Sequence, residues 1–394
     1  MIYLDNNATT KTDEKVLEAM MPYFTEEYAN PSSIYDFSKK SSRAIKEARG
    51  VIKDFINAED EKEIIFTSCG SESANTAIKG VLNYNKAKKH IVTTKVEHPC
   101  VLNLYKSLEK QGYKVDYIGV NSNGDLDLEE LDSVINSETA LVSVMWANNE
   151  TGVINPIKKV SEIIKSKNRD TKLFVDAVQV AGKIPMDVQE MGIDLLGISG
   201  HKFHAPKGIG ALYVNSKTMI TPLIIGGHQE RGKRAGTENV PYIIGMAKAA
   251  ELAQDALDYE LTEVKRLRDK LETTLLKNIY NARLNTAVTN RVPNTTNIGF
   301  EYVEGELILL HMSDLGICAS SGSACTSGSL EPSHVLRAMN VPFTAIHGSI
   351  RFSLSRYTTE KEIDYVCEKM PQIIEKITAI SPFQDELAAL KARK

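Results

Sequence analysis

Short apolar runs rich in β-branched residues recur through the first two thirds of the chain, at Glu63–Phe66, His90–Val96, Val115–Val120, Ala140–Trp146, Lys172–Val175 and Ile193–Ile198. Several are nearly continuous apolar blocks, the pattern of strands covered on both faces. Between them lie segments with helical spacing, such as the one containing Val160, Ile163 and Ile164. Near the start, Val16, Leu17, Met20, Met21 and Phe24 follow Thr12 and Asp13 at the same spacing, with the two polar residues available as caps. This alternation predicts an α/β fold, a mostly parallel sheet covered by helices.

After about residue 255 the pattern changes. Val264, Leu267, Leu271, Leu275 and Ile279 predict a long amphipathic helix, and shorter strand candidates follow it. A last helix is expected from Thr359, where Thr359 and Glu362 have capping-box spacing, with Ile363, Val366, Cys367 and Met370 on its apolar face. The polar stretch Asp385–Lys394 is expected to fray. This part reads as a second, smaller α+β domain.

A chain of 394 residues exceeds what one core usually serves, in agreement with two domains. Its 47 basic and 51 acidic residues leave a net charge of −4, which argues against nucleic acid or an anionic membrane as the main partner. No stretch approaches the roughly 20 apolar residues that span a bilayer, and the start lacks a basic leader with an apolar core. Five scattered cysteines (Cys69, Cys100, Cys318, Cys325 and Cys367) show no Cys-x-x-Cys spacing, so no metal site is expected. A cytoplasmic location, with any important cysteine working as a thiol, is the expectation.

Candidate chemistry sits at predicted strand ends. Ser199-Gly-His-Lys202 directly follows one strand, and Asp176 ends another. The carboxyl ends of parallel strands are where open α/β sheets build their sites. A lysine there can form a Schiff base with an aldehyde cofactor, and a carboxylate can hold a pyridine nitrogen protonated. Thr67-Ser-Cys-Gly-Ser71 follows the first strand and opens a helix-like segment, whose free N–H groups and dipole favour a bound dianion. Each signal alone has an ordinary structural explanation; their order on successive strand ends favours a cofactor site, with chemistry that suits pyridoxal 5'-phosphate.

Seven motifs, spread nearly end to end, carry a resemblance to a known family: Tyr3-Leu-Asp-Asn-Asn-Ala-Thr-Thr10, Asn30-Pro-Ser-Ser33, Thr67-Ser-Cys-Gly-Ser-Glu-Ser73, Glu97-His98-Pro99, Asn148-Asn-Glu-Thr-Gly152, Ser199-Gly-His-Lys202 and Ser320-Ser-Gly-Ser-Ala-Cys325. The sequence closely resembles the cysteine desulfurases, class V aminotransferase-like enzymes of the fold-type-I pyridoxal-phosphate group. Gly226–Asn239 and Ser320–Met339 are most similar to the nitrogen-fixation (NifS) branch, and Ala235 stands where housekeeping IscS-type enzymes usually carry serine. The resemblance implies a seven-stranded, mostly parallel sheet in a large domain, 15–255. It implies a small domain formed by 1–14 and 256–394, with a catalytic-cysteine loop at about 320–332.

It also implies roles. Lys202 would carry the cofactor, Asp176 would pair with its ring nitrogen, Gln179 would contact the ring hydroxyl, and His98 would stack on the ring and act as acid or base. Gly70, Ser71, Ser199 and His201 would surround the phosphate, and Thr237 would reach the phosphate of the other subunit in a homodimer. Asn149 and Arg351 would grip the carboxylate of L-cysteine; by local pattern alone, Arg351 reads as the exposed face of a strand. Cys325, in a segment of small polar residues expected to be mobile, would take the sulfur as a persulfide and leave L-alanine. An iron–sulfur scaffold protein such as NifU, serving nitrogenase, would then receive it.

The nearest rival is a housekeeping desulfurase; a more distant one is a selenocysteine lyase or a pyridoxal-phosphate aminotransferase, the last of which leaves Cys325 without a purpose. A cluster-binding scaffold using Cys318 and Cys325 is a rival of another class, but no partner histidines or cysteines gather near them in sequence.

Overall fold

The computed structural model describes residues 1–286, 290–321 and 332–393. After a two-residue strand β1 (Ile2–Tyr3), the six expected runs fold as β2 (Ile64–Thr67), β3 (His90–Thr94), β4 (Lys114–Ile118), β5 (Thr139–Met145), β6 (Lys172–Asp176) and β7 (Leu195–Ser199). A further strand, β8 (Gly210–Val214), was not among the expected runs. Together β2–β8 make a seven-stranded sheet in the order β2-β8-β7-β6-β5-β3-β4. The pairings from β7 through β4 are parallel, and β8 runs antiparallel to both its neighbours.

The strands read as continuous apolar blocks because both faces are covered. Leu141, Phe174, Leu195 and Leu212 pack on one side, against Ala74, Ile78, Val101 and Tyr105 of the helices Gly70–Tyr84 and Pro99–Glu109. Their neighbours Val142, Val175, Leu196 and Ala211 pack on the other, with Ile45, Ile52, Ile243 and Met246 of the helices Ser38–Phe55 and Val240–Asp255. Successive residues of a strand point to opposite faces, so each strand contributes to both cores. Each fully buried side chain of this kind contributes roughly 1.5–3 kcal/mol.

The second sheet has the order β12-β13-β10-β9, with β9 at Ala282–Leu284, β10 at Thr295–Phe300, β12 at Ser320–Ser321 and β13 at Ser349–Ser353, all antiparallel. Ile298, Phe300, Ile350 and Phe352 share a core with Val264, Leu267, Leu271 and Leu275 of the expected amphipathic helix. That helix opens with a π-helical turn, Glu260–Val264, before the α-helix Lys265–Asn278. The capping box forms as expected at the start of Glu360–Ala379, between Thr359 and Glu362.

Two expectations are corrected. The polar stretch after residue 384 does not fray but forms a helix, Gln384–Arg393, held by the buried Leu387 and by Gln384 donating to the carbonyls of Thr378 and Ser381. The first helix stops at Met20, because Pro22 has no N–H to extend it. Of its expected apolar face only Val16 and Met20 are buried, while Leu17, Met21 and Phe24 are about half exposed.

The N-terminal strand segment ties the two sheets together. β1 pairs in parallel with β11 (Ile317–Cys318), and Asn6 N–H then donates to Ser353 O of β13. Four residues later Thr10 N–H donates to His201 O, in the turn after β7. Residues 5–8 are thereby laid across the carboxyl end of the large sheet. No helix among the described residues is long and apolar enough to cross a membrane.

Candidate active site

β6 and β7 are parallel neighbours, with Asp176 opposite Gly197. Asp176 is the last residue of β6, and Lys202 lies three residues past the end of β7, so the pairing brings carboxylate and amine to one edge. Between them opens a cavity of about 400 Å³. Its lining includes Gly70, Ser71, His98, Asn149, Asp176, Gln179, Ser199, His201, Lys202 and Arg351, ten of the expected site residues. Thr237 is not among them: it is exposed and lines a separate hollow with Phe66 and Glu230. Cys325 lies outside the described residues.

Lys202 Nζ donates to two backbone carbonyls, Asn7 O and Ala8 O, each at 2.7 Å. Asp176 is buried, accepts from Val178 N–H at 3.0 Å, and has its pKa raised by burial against the pull of His98 and Lys202. A buried acid of that kind keeps its charge best when a cation or a protonated nitrogen faces it.

His98 is the N-cap of the helix Pro99–Glu109. Its Nδ1 accepts from Cys100 N–H at 3.2 Å, which leaves the proton of the neutral ring on Nε2. Burial lowers the pKa of His98, with Asp176 opposing and Lys202 adding to the effect. Burial likewise pushes His201 down to about 4. The adjoining Glu97 is pushed up to about 8 by burial, and accepts from Thr94 and Met145 N–H.

At the cavity's other wall, Gly70 begins a 15-residue helix whose first-turn N–H groups have no helical acceptor. A Cβ at position 70 would lie 2.9 Å from Val178 Cγ2, so glycine keeps this approach open. The Ser199 hydroxyl is buried without a hydrogen-bond partner. A helix start together with an orphaned hydroxyl suits a bound anion.

Arg351 is buried, contrary to its local pattern, because β13 is packed on both faces. Its Nη2 donates to Asp5 Oδ1 at 2.6 Å and its Nη1 to Asn149 O at 3.0 Å, while its Nε is buried with no partner. A planar guanidinium with an unused donor beside the cavity is suited to a carboxylate ligand.

Sequence reasoning assigned no role to Asp5, Asn7 or Ser320, which also line the cavity. The only signal for Asp5 and Asn7 was the motif Tyr3–Thr10, a polar stretch with neither strand nor helix periodicity.

The Aminotransferase class-V family matches residues 2–366. A cysteine desulfurase of Nostoc sp. is 56% identical and covers 100% of this chain and 98% of its own length. The cysteine desulfurase NifS of Azotobacter vinelandii is 50% identical, covering 97% of this chain and 94% of itself. The chain belongs to the cysteine desulfurases of the class V aminotransferase family. Among solved structures, a NifS-like protein superposes on this desulfurase with a TM-score of 0.90 at 39% identity, over 95% of this chain and 99% of that one. The structure described as SspA in complex with cysteine does so with a TM-score of 0.78 at 34% identity, over 91% and 100% of the two chains. The expected α/β fold, with a mostly parallel seven-stranded sheet beside a smaller sheet, is the fold of this desulfurase.

Proposed function

We propose that the cavity holds pyridoxal 5'-phosphate and that the chain converts L-cysteine to L-alanine, passing the sulfur to Cys325. The observation that carries this reading is the enclosed Asp176 facing Lys202 across a cavity whose far wall has the orphaned Ser199 hydroxyl beside the Gly70 helix start. Asp176 suits a ring nitrogen. Lys202 suits the aldehyde carbon. Gly70, Ser71, Ser199 and His201 suit the phosphate, with Gln179 and His98 against the ring.

Bound there, the cofactor supplies an electron sink that weakens bonds at the substrate's α- and β-carbons. Lys202 is the base for the Cα proton, and Asn149 and Arg351 orient the substrate carboxylate. His98, with its proton on Nε2, is placed to serve as acid or base at the sulfur. The thiol of Cys325 gains the sulfur as a persulfide while the substrate Cβ–S bond breaks, so cysteine and thiol become alanine and persulfide. Ser320 lines the cavity, and Cys325 stands five residues after it; five residues of chain reach at most about 18 Å.

The exposed Thr237 is available to a second copy, which supports a homodimer in which each chain completes the other's phosphate site. The smaller domain of this reading comprises 1–14 and 256–394, and the larger 15–255. Likeness to Azotobacter NifS supports delivery of sulfur to a NifU-type scaffold for nitrogenase, in the cytoplasm.

The test is sulfur release from L-cysteine in the presence of a thiol reductant, with alanine measured in parallel. Cys325→Ala should load cofactor and release almost no sulfide, and parent-rate sulfide from it would overturn the persulfide step. Borohydride should fix the cofactor on the peptide containing Lys202. Transfer of labelled sulfur to a purified NifU-type scaffold, ahead of a general scaffold, tests the branch.

A further inference from the structure

Lys183 lies four residues beyond Gln179, in the turns that follow β6, and is buried, yet no carboxylate forms an ion pair with it among the described residues. Its Nζ instead donates to two side-chain amides, Gln179 Oε1 at 2.9 Å and Asn7 Oδ1 at 3.0 Å. Buried lysines without an acid partner are rare, because burial penalises the charge. Here burial, with Lys202 and Arg351 nearby, pushes Lys183 down to about 7, and Glu260 opposes that shift.

Partner accounting fixes how each amide is turned. Asn7 Nδ2 donates to the backbone carbonyl of Asn149, so Asn7 Oδ1 must face the other way, toward Lys183 and Asn294 Nδ2. Asn294 Nδ2 also donates to Leu354 O, which sets its own direction. Gln179 Nε2 donates to Asn7 O at 3.1 Å, the carbonyl that also accepts from Lys202. Gln179 therefore offers its oxygen to Lys183, and the second hydrogen of its Nε2 is left for the cavity that Gln179 lines. An amine in either protonation state can donate both bonds that Lys183 makes, so the arrangement does not depend on its charge.

We propose that Lys183 is a positioning residue for the cofactor: it holds Gln179 with its amide nitrogen toward the cavity, so that the ring oxygen of bound pyridoxal phosphate meets a donor. This rests on the cofactor reading given above. A donor on the ring oxygen competes for the proton that this oxygen shares with the Lys202 nitrogen, and positive charge on Lys183 disfavours the same proton. Both effects lower the proton affinity of the cofactor's linkage to Lys202. Loss of Lys183 removes both, so the affinity rises.

The experiment is a pH titration of the bound cofactor's visible and near-ultraviolet absorption, in holoenzyme freed of excess cofactor. Lys183→Met should move the midpoint up by about one pH unit, a tenfold gain in proton affinity. Lys183→Arg, which restores a donor toward Gln179, should return it toward the parent value. Gln179→Met removes the donor into the cavity while leaving Lys183 in place, and should shift the midpoint in the same direction. A loaded K183M that titrates at the parent's midpoint overturns the proposal; if K183M does not load, an unshifted Q179M does so. Absence of any bound chromophore in the parent would instead overturn the cofactor reading itself, a result separable from the first by the unmodified protein alone.

Discussion

Arg49 and Glu230 meet in a two-pronged ion pair, Nη1 to Oε2 at 2.6 Å and Nη2 to Oε1 at 2.9 Å, with both side chains buried. Arg49 also donates to Ile64 O, and Glu230 accepts from Phe66 N–H, so the pair is bonded to strand β2. Glu230 and Arg231 have φ of 46° and 58°, two left-handed residues in succession. Such residues cost on the order of 1–3 kcal/mol each and persist where the surroundings enforce them. The pair thus holds the segment that carries Thr237.

Breaking it leaves an uncompensated buried charge. Arg49→Met should destabilise the protein by about 3–5 kcal/mol in denaturant unfolding. If Thr237 serves the partner subunit, the same variant should also lose cofactor faster on dilution. Replacing both residues by apolar ones should recover much of the stability but not the cofactor retention.

Glu97 gives a pH dependence whose sign can be worked out. Burial pushes its folded pKa from the ordinary 4.5 up to about 8. Between those values the folded protein keeps a proton that the unfolded chain has released, so the contribution to stability is present below the lower value and is lost as pH rises through the window. Glu97→Gln cannot release a proton. Its unfolding free energy should gain on the parent's as pH increases from about 5 to about 8, by an amount on the order of a few kcal/mol, with a parallel rise in relative melting temperature. Parallel melting curves for the two proteins would show that Glu97 is ionised in the fold.

Ser199→Ala separates a ligand role from a structural one. The hydroxyl has no protein partner, so its removal should leave the cofactor-free protein as stable as the parent or slightly more so. Cofactor affinity should fall by about fivefold, the loss of roughly one hydrogen bond of 1 kcal/mol. Equilibrium dialysis together with thermal unfolding of the cofactor-free form measures both quantities.

Arg351→Gln should lower kcat/KM for L-cysteine by about 10- to 100-fold, in line with loss of a charge-assisted hydrogen bond worth 1.5–3 kcal/mol. Asp5 loses its ion-pair partner in the same variant. Asp5→Asn alone, which leaves the guanidinium in place, should keep most of the activity if Arg351 is the group that binds the carboxylate.

The large sheet was legible because its strands are apolar on both faces, a pattern that survives without knowledge of their neighbours. β8 was missed because Gly210-Ala-Leu-Tyr-Val214 follows the turn-like Pro206-Lys-Gly-Ile-Gly210 and returns as a hairpin partner of β7. The helix Gln384–Arg393 was missed for the opposite reason: it is short, half of its residues are polar or charged and three of the others are alanine, and tertiary contact through Leu387 decides it. Lys202, Asp176 and the Gly70 turn were visible as strand-end residues. The roles of Asn7, Lys183 and Asn294 were not. The bonds that join Asn7 to Lys183 and to Asn294 link residues more than a hundred positions apart in the chain, and no local spacing records them.

The parallel pairing of β6 with β7 also separates the chemistry from the length of the chain that joins its parts. Asp176 and Lys202 are spaced by the fixed interval between adjacent strands, whereas the exposed turn Gln189-Glu-Met-Gly192 lies at the opposite end of the sheet. That turn is therefore a place to splice in a foreign domain, or to open new termini, without disturbing the distance between acid and amine.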